Sequence, residues 1–308
     1  MFTSHCGDGD ILCVRAADGL LLGLLRSDSE EGLTMQNSLR ISFFALVLAS
    51  LGGMAAVTLS PFFGWGDGRH VAIFVGTYVI MVTGVTLYNH RYITHNSYAF
   101  TRLGRFTARP LLAWAAAISW QGPSAWWRKV HQKHHAHSDT PEDPHSPLRG
   151  FWYAHFGWLL KGEISWKLDP KDALPHGKFE RALSLPWVYL LVGPGSGLLV
   201  SFLLGSWMGA SAYLAAVFCG TCLATWSINS VCHLAKERSA QTNDHSRNVY
   251  WLAPLSGGEA LHFEHHRGQR LSCFAHRRWQ VCFDTGFWVL SVLRLFRFVG
   301  PLKMPRFN

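Results

Sequence analysis

The sequence predicts an all-α integral membrane protein, with four transmembrane helices and a cytosolic helical cap built around clustered histidines. Three observations predict this. Of the 308 residues 49% are hydrophobic and only 15% charged, and the low charge comes from long uncharged runs rather than from an even dilution. The lysines and arginines gather in two of the segments between those runs. One histidine spacing, HxxHH, occurs twice.

Residues 1–34 hold six acidic residues (Asp8, Asp10, Asp18, Asp28, Glu30, Glu31) against Arg15 and Arg26. Their short apolar piece lacks the length and basic lead-in of a signal peptide. Residues 1–39 are therefore expected to form a poorly ordered tail, and residues 40–308 the folded domain. Residues 41–63 (ISFFALVLASLGGMAAVTLSPFF) are apolar and uncharged, enough helix to cross ~30 Å of hydrocarbon. A second span is expected over 71–88 and ends at HRYITH, which holds His90 and His95. Residues 106–120 are apolar but short, with Arg102, Arg105 and Arg109 at one end, and read as an interfacial or packing helix. The third and fourth spans are expected over 186–208 and 213–230, the fourth running into Asn229 and His233. Residues 286–299 are apolar but broken by Arg294 and Arg297, and read as an amphipathic helix lying at the interface.

Four spans put both termini on one side. Residues 90–185 carry thirteen Lys and Arg and residues 231–308 eleven, whereas the two short opposite loops hold only Arg69. This assigns the large segments and both termini to the cytoplasm, as an integral, multi-pass topology. The formal charge of +9 is spread along these segments rather than packed into a basic tract, so membrane topology explains it better than nucleic acid does. Seven cysteines form no disulfide framework, and the lone CxxC of Cys219 and Cys222 reads as two small packed residues.

The cap is organised around WWRKVHQKHHAH (126–137). On a helix His131, His134 and His135 fall at about 0°, 300° and 40°, one face. Three imidazoles on one stripe repel if protonated and need partners if buried, and a shared metal answers both problems. The grammar returns about 130 residues later at His262, His265 and His266 (HFEHH). With His90, His95 and His233, nine histidines lie at span ends on the same side. Nine exceed what one ion takes, so two metals are expected. Imidazole accepts zinc, copper, nickel or iron. No HExxH marks a zinc hydrolase, and no thiolate joins the clusters as iron–sulfur or structural zinc would require.

These motifs resemble the membrane fatty-acid desaturases of the stearoyl-CoA and bacterial delta-9 type. HRYITH is similar to the family's first histidine box, QGPSAWWRKVHQKHH to its second, ATWSINSVCH to the stretch with an asparagine and a lone histidine, and GGEALHFEHH to its third. DPHSPLRGFW and HFGWLL are also similar to family peptides, and the likeness runs from about residue 41 to the C-terminus. The resemblance implies a di-iron site held by His90, His95, His131, His134, His135, His233, His262, His265 and His266, with Asn229 reaching one iron through water. It implies removal of two hydrogens from adjacent methylenes of an acyl chain, using O2. The substrate would be a fatty acyl thioester (on CoA or acyl carrier protein) or a lipid. Electrons would come from a separate donor protein of the ferredoxin, rubredoxin or cytochrome b5 kind. The chain departs from the family pattern at Asn96, Val130 and Arg267, positions beside the boxes that bear on the head group and the reaction outcome.

Further residues are expected at the substrate. Phe74 and Tyr78 lie one turn apart, deeper in span two than His90, and would limit chain length. Trp127 and Trp226 would shape the acyl tunnel, against ordinary interfacial packing. Lys129, with Arg149 and Arg267, would meet a phosphate-bearing head group, against the general positive-inside excess. His137, His145, His155, His176, His245 and His276 are expected around the site or at the surface, and His5 and His70 away from it. A related enzyme making a hydroxyl group or a triple bond is the alternative chemistry. A histidine-rich metal transporter is a third reading, but it should carry ionisable residues inside its spans, and these spans hold essentially none.

Overall fold

The structure, a computed structural model, describes residues 29–64, 66–161 and 177–307. Of the expected tail, residues 1–28 lie outside the described residues, as do His5 and His176. Ser29 begins the first helix. Among the described residues there is no strand, only two isolated bridges, Phe100 to Val299 and Asn248 to Leu261.

Seven helices carry the argument: α1 (Ser29–Phe63), α2 (Gly68–Gly84), α3 (Ala108–Ala117), α4 (Ser124–His137), α5 (Ser196–Gly220), α6 (His262–Arg267) and α7 (Thr285–Leu295). The part of α1 from Leu46 onward belongs to the main compact unit, and residues 29–45 fall outside it. Among the described residues, two continuous helical stretches are long and apolar enough to cross a bilayer, Gly68–Thr94 and Trp187–His233, and Val47–Phe63 is a shorter apolar helix.

The stretch Trp187–His233 turns back on itself. Gly205 (φ −147°, ψ 21°) and Ser206 (φ 53°, ψ −146°) leave helical geometry inside α5. A Cβ added to Gly209 would lie 2.1 Å from the Ser201 carbonyl oxygen, and one added to Gly197 2.6 Å from the Tyr213 ring. Both pairs are centred on residue 205, which is the register of an antiparallel helical hairpin. Two of the expected spans are thus its arms, with the reversal at 205–206 rather than across 209–212. Glycine at 209 lets the arms touch backbone to backbone, and glycine at 197 leaves room for the Tyr213 ring.

His70 fixes the turn end of this bundle. Its Nδ1 accepts from the Asp67 backbone N–H at 2.9 Å, and its Nε2 lies 3.2 Å from the Gly205 carbonyl, to which it donates. Asp67 and His70 form a capping box at the start of α2. As expected, His70 is remote from the other histidines. It ties α2 to the hairpin turn instead. α2 and the second arm of α5 therefore run in the same direction, away from that turn and toward His90 and His233.

The helix over 108–117 is a packing helix. Leu112, Ala113, Ala115, Ala116 and Ala117 are buried, because small residues allow α2 to approach closely. Tyr213 is buried with its hydroxyl satisfied, donating to the Ile118 carbonyl (2.8 Å) and accepting from Trp120 Nε1 (2.8 Å). Beyond α2 and α5 the cap closes over two apolar clusters. One joins Leu87, Tyr88, Phe100, Leu112 and Leu290, and the other Ile228, Leu252, Leu261, Cys273 and Phe274. The histidines lie with this cap.

Candidate metal centre

Three local geometries aim the histidines. Past Gly84 the second helix widens into π-helical turns, Val85–Thr94, and the His95 N–H donates to the His90 carbonyl at 3.1 Å. In an α-helix residues five apart diverge by about 140°. An i→i+5 turn brings residue i+5 back nearly above residue i. The π turns are what place His90 and His95 on one face, with ring centroids 4.7 Å apart.

α4 and α6 carry the two HxxHH cassettes. His131, His134 and His135 share a face of α4, and His262, His265 and His266 a face of α6. π turns over Thr221–Trp226 lead through the short helix Ser227–Ser230, which holds half-buried Asn229, to buried His233.

Among the described residues, the ligand nitrogens sort into two groups, each with its atoms within 4.8 Å of one another. The first is His90, His95, His131, His135 and His265, and the second His134, His233, His262 and His266. The sorting follows helical angles. Within each cassette the i and i+4 histidines, about 40° apart, go to the same group, and the i+3 histidine, about 60° to the other side, goes to its neighbour. The cassettes are reciprocal, since α4 gives two ligands to the first group and one to the second, and α6 the reverse.

Four carboxylates hold the rings from behind. Asp143 meets His134 Nδ1 at 3.0 Å, Asp139 meets His233 Nδ1 at 3.0 Å, Asp244 meets His266 Nδ1 at 2.5 Å, and Glu259 meets His90 Nδ1. Carboxylates accept, so these Nδ1 atoms carry the hydrogen and each Nε2 keeps its lone pair inward. Inward-facing Nε2 atoms come close: His90–His265 3.0 Å, His265–His135 2.9 Å, His135–His131 3.0 Å, His131–His95 3.1 Å and His262–His233 2.9 Å. The Nε2 atoms of His134 and His266 are buried with no hydrogen-bond partner, an arrangement that costs about 1–3 kcal/mol per group. A cation in each group would satisfy all of them. The donor set, neutral imidazole backed by carboxylate, fits a divalent first-row transition metal.

Electrostatics agree. Burial, reinforced by neighbouring imidazoles, holds His95, His131, His135, His262 and His265 well below the ordinary histidine range, so they are neutral at pH 7, the form that can ligate a metal. Burial also lowers His266, to about 4, against the opposing pull of Asp244. Burial acts the same way on His134, but the Asp143 carboxylate outweighs it and raises that residue. Asp244 is itself held low: burial opposes this, and the hydrogen bond from His266 overrides it. An Asp244→Asn substitution should therefore weaken metal retention about 10–100-fold, read by competition with a chelator of known affinity. Unchanged retention would show that Asp244 does not orient His266.

The structure also locates the remaining expected residues. Trp127 stacks on His131 with ring centroids 4.7 Å apart, and its ring lies 5.7 Å from that of His90. Phe74 and Tyr78 lie one turn apart in the middle of α2. Tyr78 donates its hydroxyl to the Leu255 carbonyl at 2.9 Å. Trp226 is buried against His155 and Phe156, and His155 meets the Ser230 hydroxyl at 2.9 Å. Lys129 is half-buried on α4. Arg149 meets the Tyr153 hydroxyl at 2.8 Å, and Arg267 pairs with Glu264. Buried His145 lies beside Asp143, its Nδ1 3.6 Å from the carboxylate. His245 donates its backbone N–H to Asp139. His276 lies 3.6 Å from Glu264, and His137 is exposed.

Sequence reasoning missed the carboxylates. A signal for two of them was present: Asp139 and Asp143 lie in the acidic turn directly after the first cassette. It also missed Arg91, the residue after His90, which is fully buried and bonded to Asp284 and Glu259.

A family model described as fatty acid desaturase matches residues 68–282. Similar curated proteins include delta-9 acyl-lipid desaturase 2 of Arabidopsis thaliana, 31% identical over 259 residues (80% of this chain, 78% of that protein). The sn-1 stearoyl-lipid 9-desaturase of Synechocystis sp. is 30% identical over 290 residues (91% and 84%). The hex-5-enoyl-[acyl-carrier protein] acetylenase of Moorena producens is 28% identical over 286 residues (84% of each).

Proposed function

The chain belongs to the fatty acid desaturase family, and we propose that within it the protein is an O2-dependent acyl desaturase with two iron ions, forming a cis double bond at the delta-9 position of a saturated chain. The observation that carries this reading is the division of nine imidazoles into two adjacent ligand groups at one end of an apolar helical bundle. Iron bound there supplies the oxygen activation that removal of two hydrogens from adjacent methylenes requires, two further electrons coming from a separate ferredoxin, rubredoxin or cytochrome b5-like donor. His90, His95, His131, His135 and His265 would hold one ion. His134, His233, His262 and His266 would hold the other, with Asn229 completing it through water. The four-ligand group is the one short of a donor, and Asn229 precedes its His233 by four residues.

The protein's own residues do the rest. The carboxylates fix which imidazole nitrogen faces the metal. Trp127, stacked on His131, walls the centre, while Lys129 and Trp226 would border the carrier and the acyl path. Phe74 and Tyr78 would set how deep the chain reaches. Tyr78→Ala removes a side chain anchored to Leu255, so longer acyl chains should be accepted. Chain-length profiling of products reads this directly, and an unchanged profile would refute the role. For topology we propose four spans, residues 41–63, 71–88 and the two hairpin arms, with both termini and the metal centre cytoplasmic, in keeping with the Lys and Arg distribution.

The acetylenase among the relatives supports a second reading, further oxidation of an acyl chain on a carrier protein. Expression in a host lacking unsaturated fatty acids, with mass spectrometry of acyl products, decides between them. A monounsaturated product supports the desaturase. A hydroxylated or acetylenic product supports the second reading, and no acyl oxidation by an iron-loaded protein supplied with donor overturns both.

A further inference from the structure

A cleft lies on the cap beside the first histidine box, reached by Tyr92 and Asn96. Residues 97–101 pair with the C-terminal segment: Thr101 N–H donates to the Phe298 carbonyl (3.0 Å), Gly300 N–H to the Ala99 carbonyl (2.9 Å), and Phe100 bridges Val299. Between them opens the cleft, of about 480 Å³, lined by Tyr92, Asn96, Tyr98, Arg105, Arg109 and Lys303, among others. Three of its lining residues are cations and none is a carboxylate.

Two of those cations, Lys303 and Arg109, are held by neighbouring groups. Lys303 accepts the Ser272 N–H at its carbonyl (2.8 Å) and donates its own N–H to the Ser272 hydroxyl (2.9 Å), and its Nζ donates to the Asn96 carbonyl at 2.6 Å. Arg109 lies over the Phe179 ring and reaches Glu180 at a long 3.4 Å, while its buried Nε has no hydrogen-bond partner. Arg105 makes no ion pair among the described residues. Three positive groups around one cleft repel each other, and an anion with several oxygens relieves that repulsion.

The surroundings say where such an anion comes from. Beside Arg105, Leu103 is 53% and Phe106 77% exposed, and at the end of α7 Leu295 is 76% and Phe296 59% exposed. An apolar fringe around a cationic cleft is the pattern of a bilayer interface, with side chains in the acyl region and charges at the head groups. We propose that this cleft binds the phosphate group of an anionic membrane phospholipid, held by Arg105, Arg109 and Lys303.

The test reads lipid binding, not turnover, so it stands apart from the desaturase reading. The full chain in detergent is titrated with phosphatidylglycerol, phosphatidylcholine or inorganic phosphate and examined by native mass spectrometry. Phosphatidylglycerol should be retained in preference to phosphatidylcholine. The double variant Arg105→Gln/Lys303→Gln should weaken that retention about tenfold or more. Arg102→Gln, which removes the same kind of charge from the same short helix (Arg102–Phe106) outside the cleft, should leave it unchanged, and Arg105→Lys/Lys303→Arg should restore most of it. Equal loss in Arg102→Gln, or undiminished retention in the double variant, overturns the site. Binding of inorganic phosphate that excludes phosphatidylglycerol overturns the lipid as its source.

Discussion

A His134→Ala variant is expected to yield no oxidised acyl product and to retain about one metal ion fewer per chain than the wild type. His134 is the only contribution of α4 to the four-histidine group, and its Nδ1 is held by Asp143 at 3.0 Å. Removing it leaves three imidazoles, and leaves a buried carboxylate that still accepts the Asp139 and His145 backbone N–H groups and lies 3.6 Å from the His145 Nδ1. The five-histidine group loses no ligand, so its ion should stay. Loss of all turnover with only part of the metal is the distinguishing result, because simple unfolding would release both ions. Metal analysis of the purified variant beside product analysis checks it. Full turnover, or two ions retained, would contradict the assignment of His134.

Much of this site was legible because ligand spacing on a helix is local. HxxHH fixes three imidazoles to one face whatever the tertiary structure, and the positive-inside count put all nine histidines at one end. How those three divide between two metals was not legible, since it depends on where α4 and α6 meet. The pairing of His90 with His95 was legible only as a motif: α-helical periodicity would separate them, and nothing in residues 85–94 announces π turns. The carboxylates show the same limit. Asp139 meets a histidine 94 positions away and Glu259 one 169 positions away, so only the fold reveals the partnership. In the bundle, the apolar runs gave the hairpin arms, while the reversal fell at Gly205–Ser206, where the backbone and not hydropathy decides. Arg91 was least legible of all. Beside a span end it reads as one more interfacial cation, yet it is fully buried.

That burial makes Asp284 the residue whose loss should cost the fold most. Arg91 donates to Asp284 at 2.8 Å, to Glu259 at 3.2 Å and to the Ser272 carbonyl at 3.2 Å, and its guanidinium lies 3.8 Å from the Phe274 ring centre. Asp284 also accepts the Phe274 N–H (2.8 Å) and caps α7 through the Phe287 N–H (2.9 Å). Taking away one member of a buried ion pair strands the other, at a cost of about 3–5 kcal/mol, and here a helix cap is lost with it. Asp284→Ala should lower the apparent melting temperature of the metal-loaded protein by roughly 10 °C. Asp284→Asn, which keeps an acceptor for the backbone N–H groups, should fall between it and the wild type. Glu259 links this network to His90, so metal retention should fall in the same order, Ala below Asn below wild type. Melting and chelator competition, run on the same preparations, check both. If Asp284→Ala melted within a degree or two of the wild type, water or a rearranged Glu259 would be compensating Arg91, and the ion pair would not be what fastens α7 and residues 272–274 to the first histidine box.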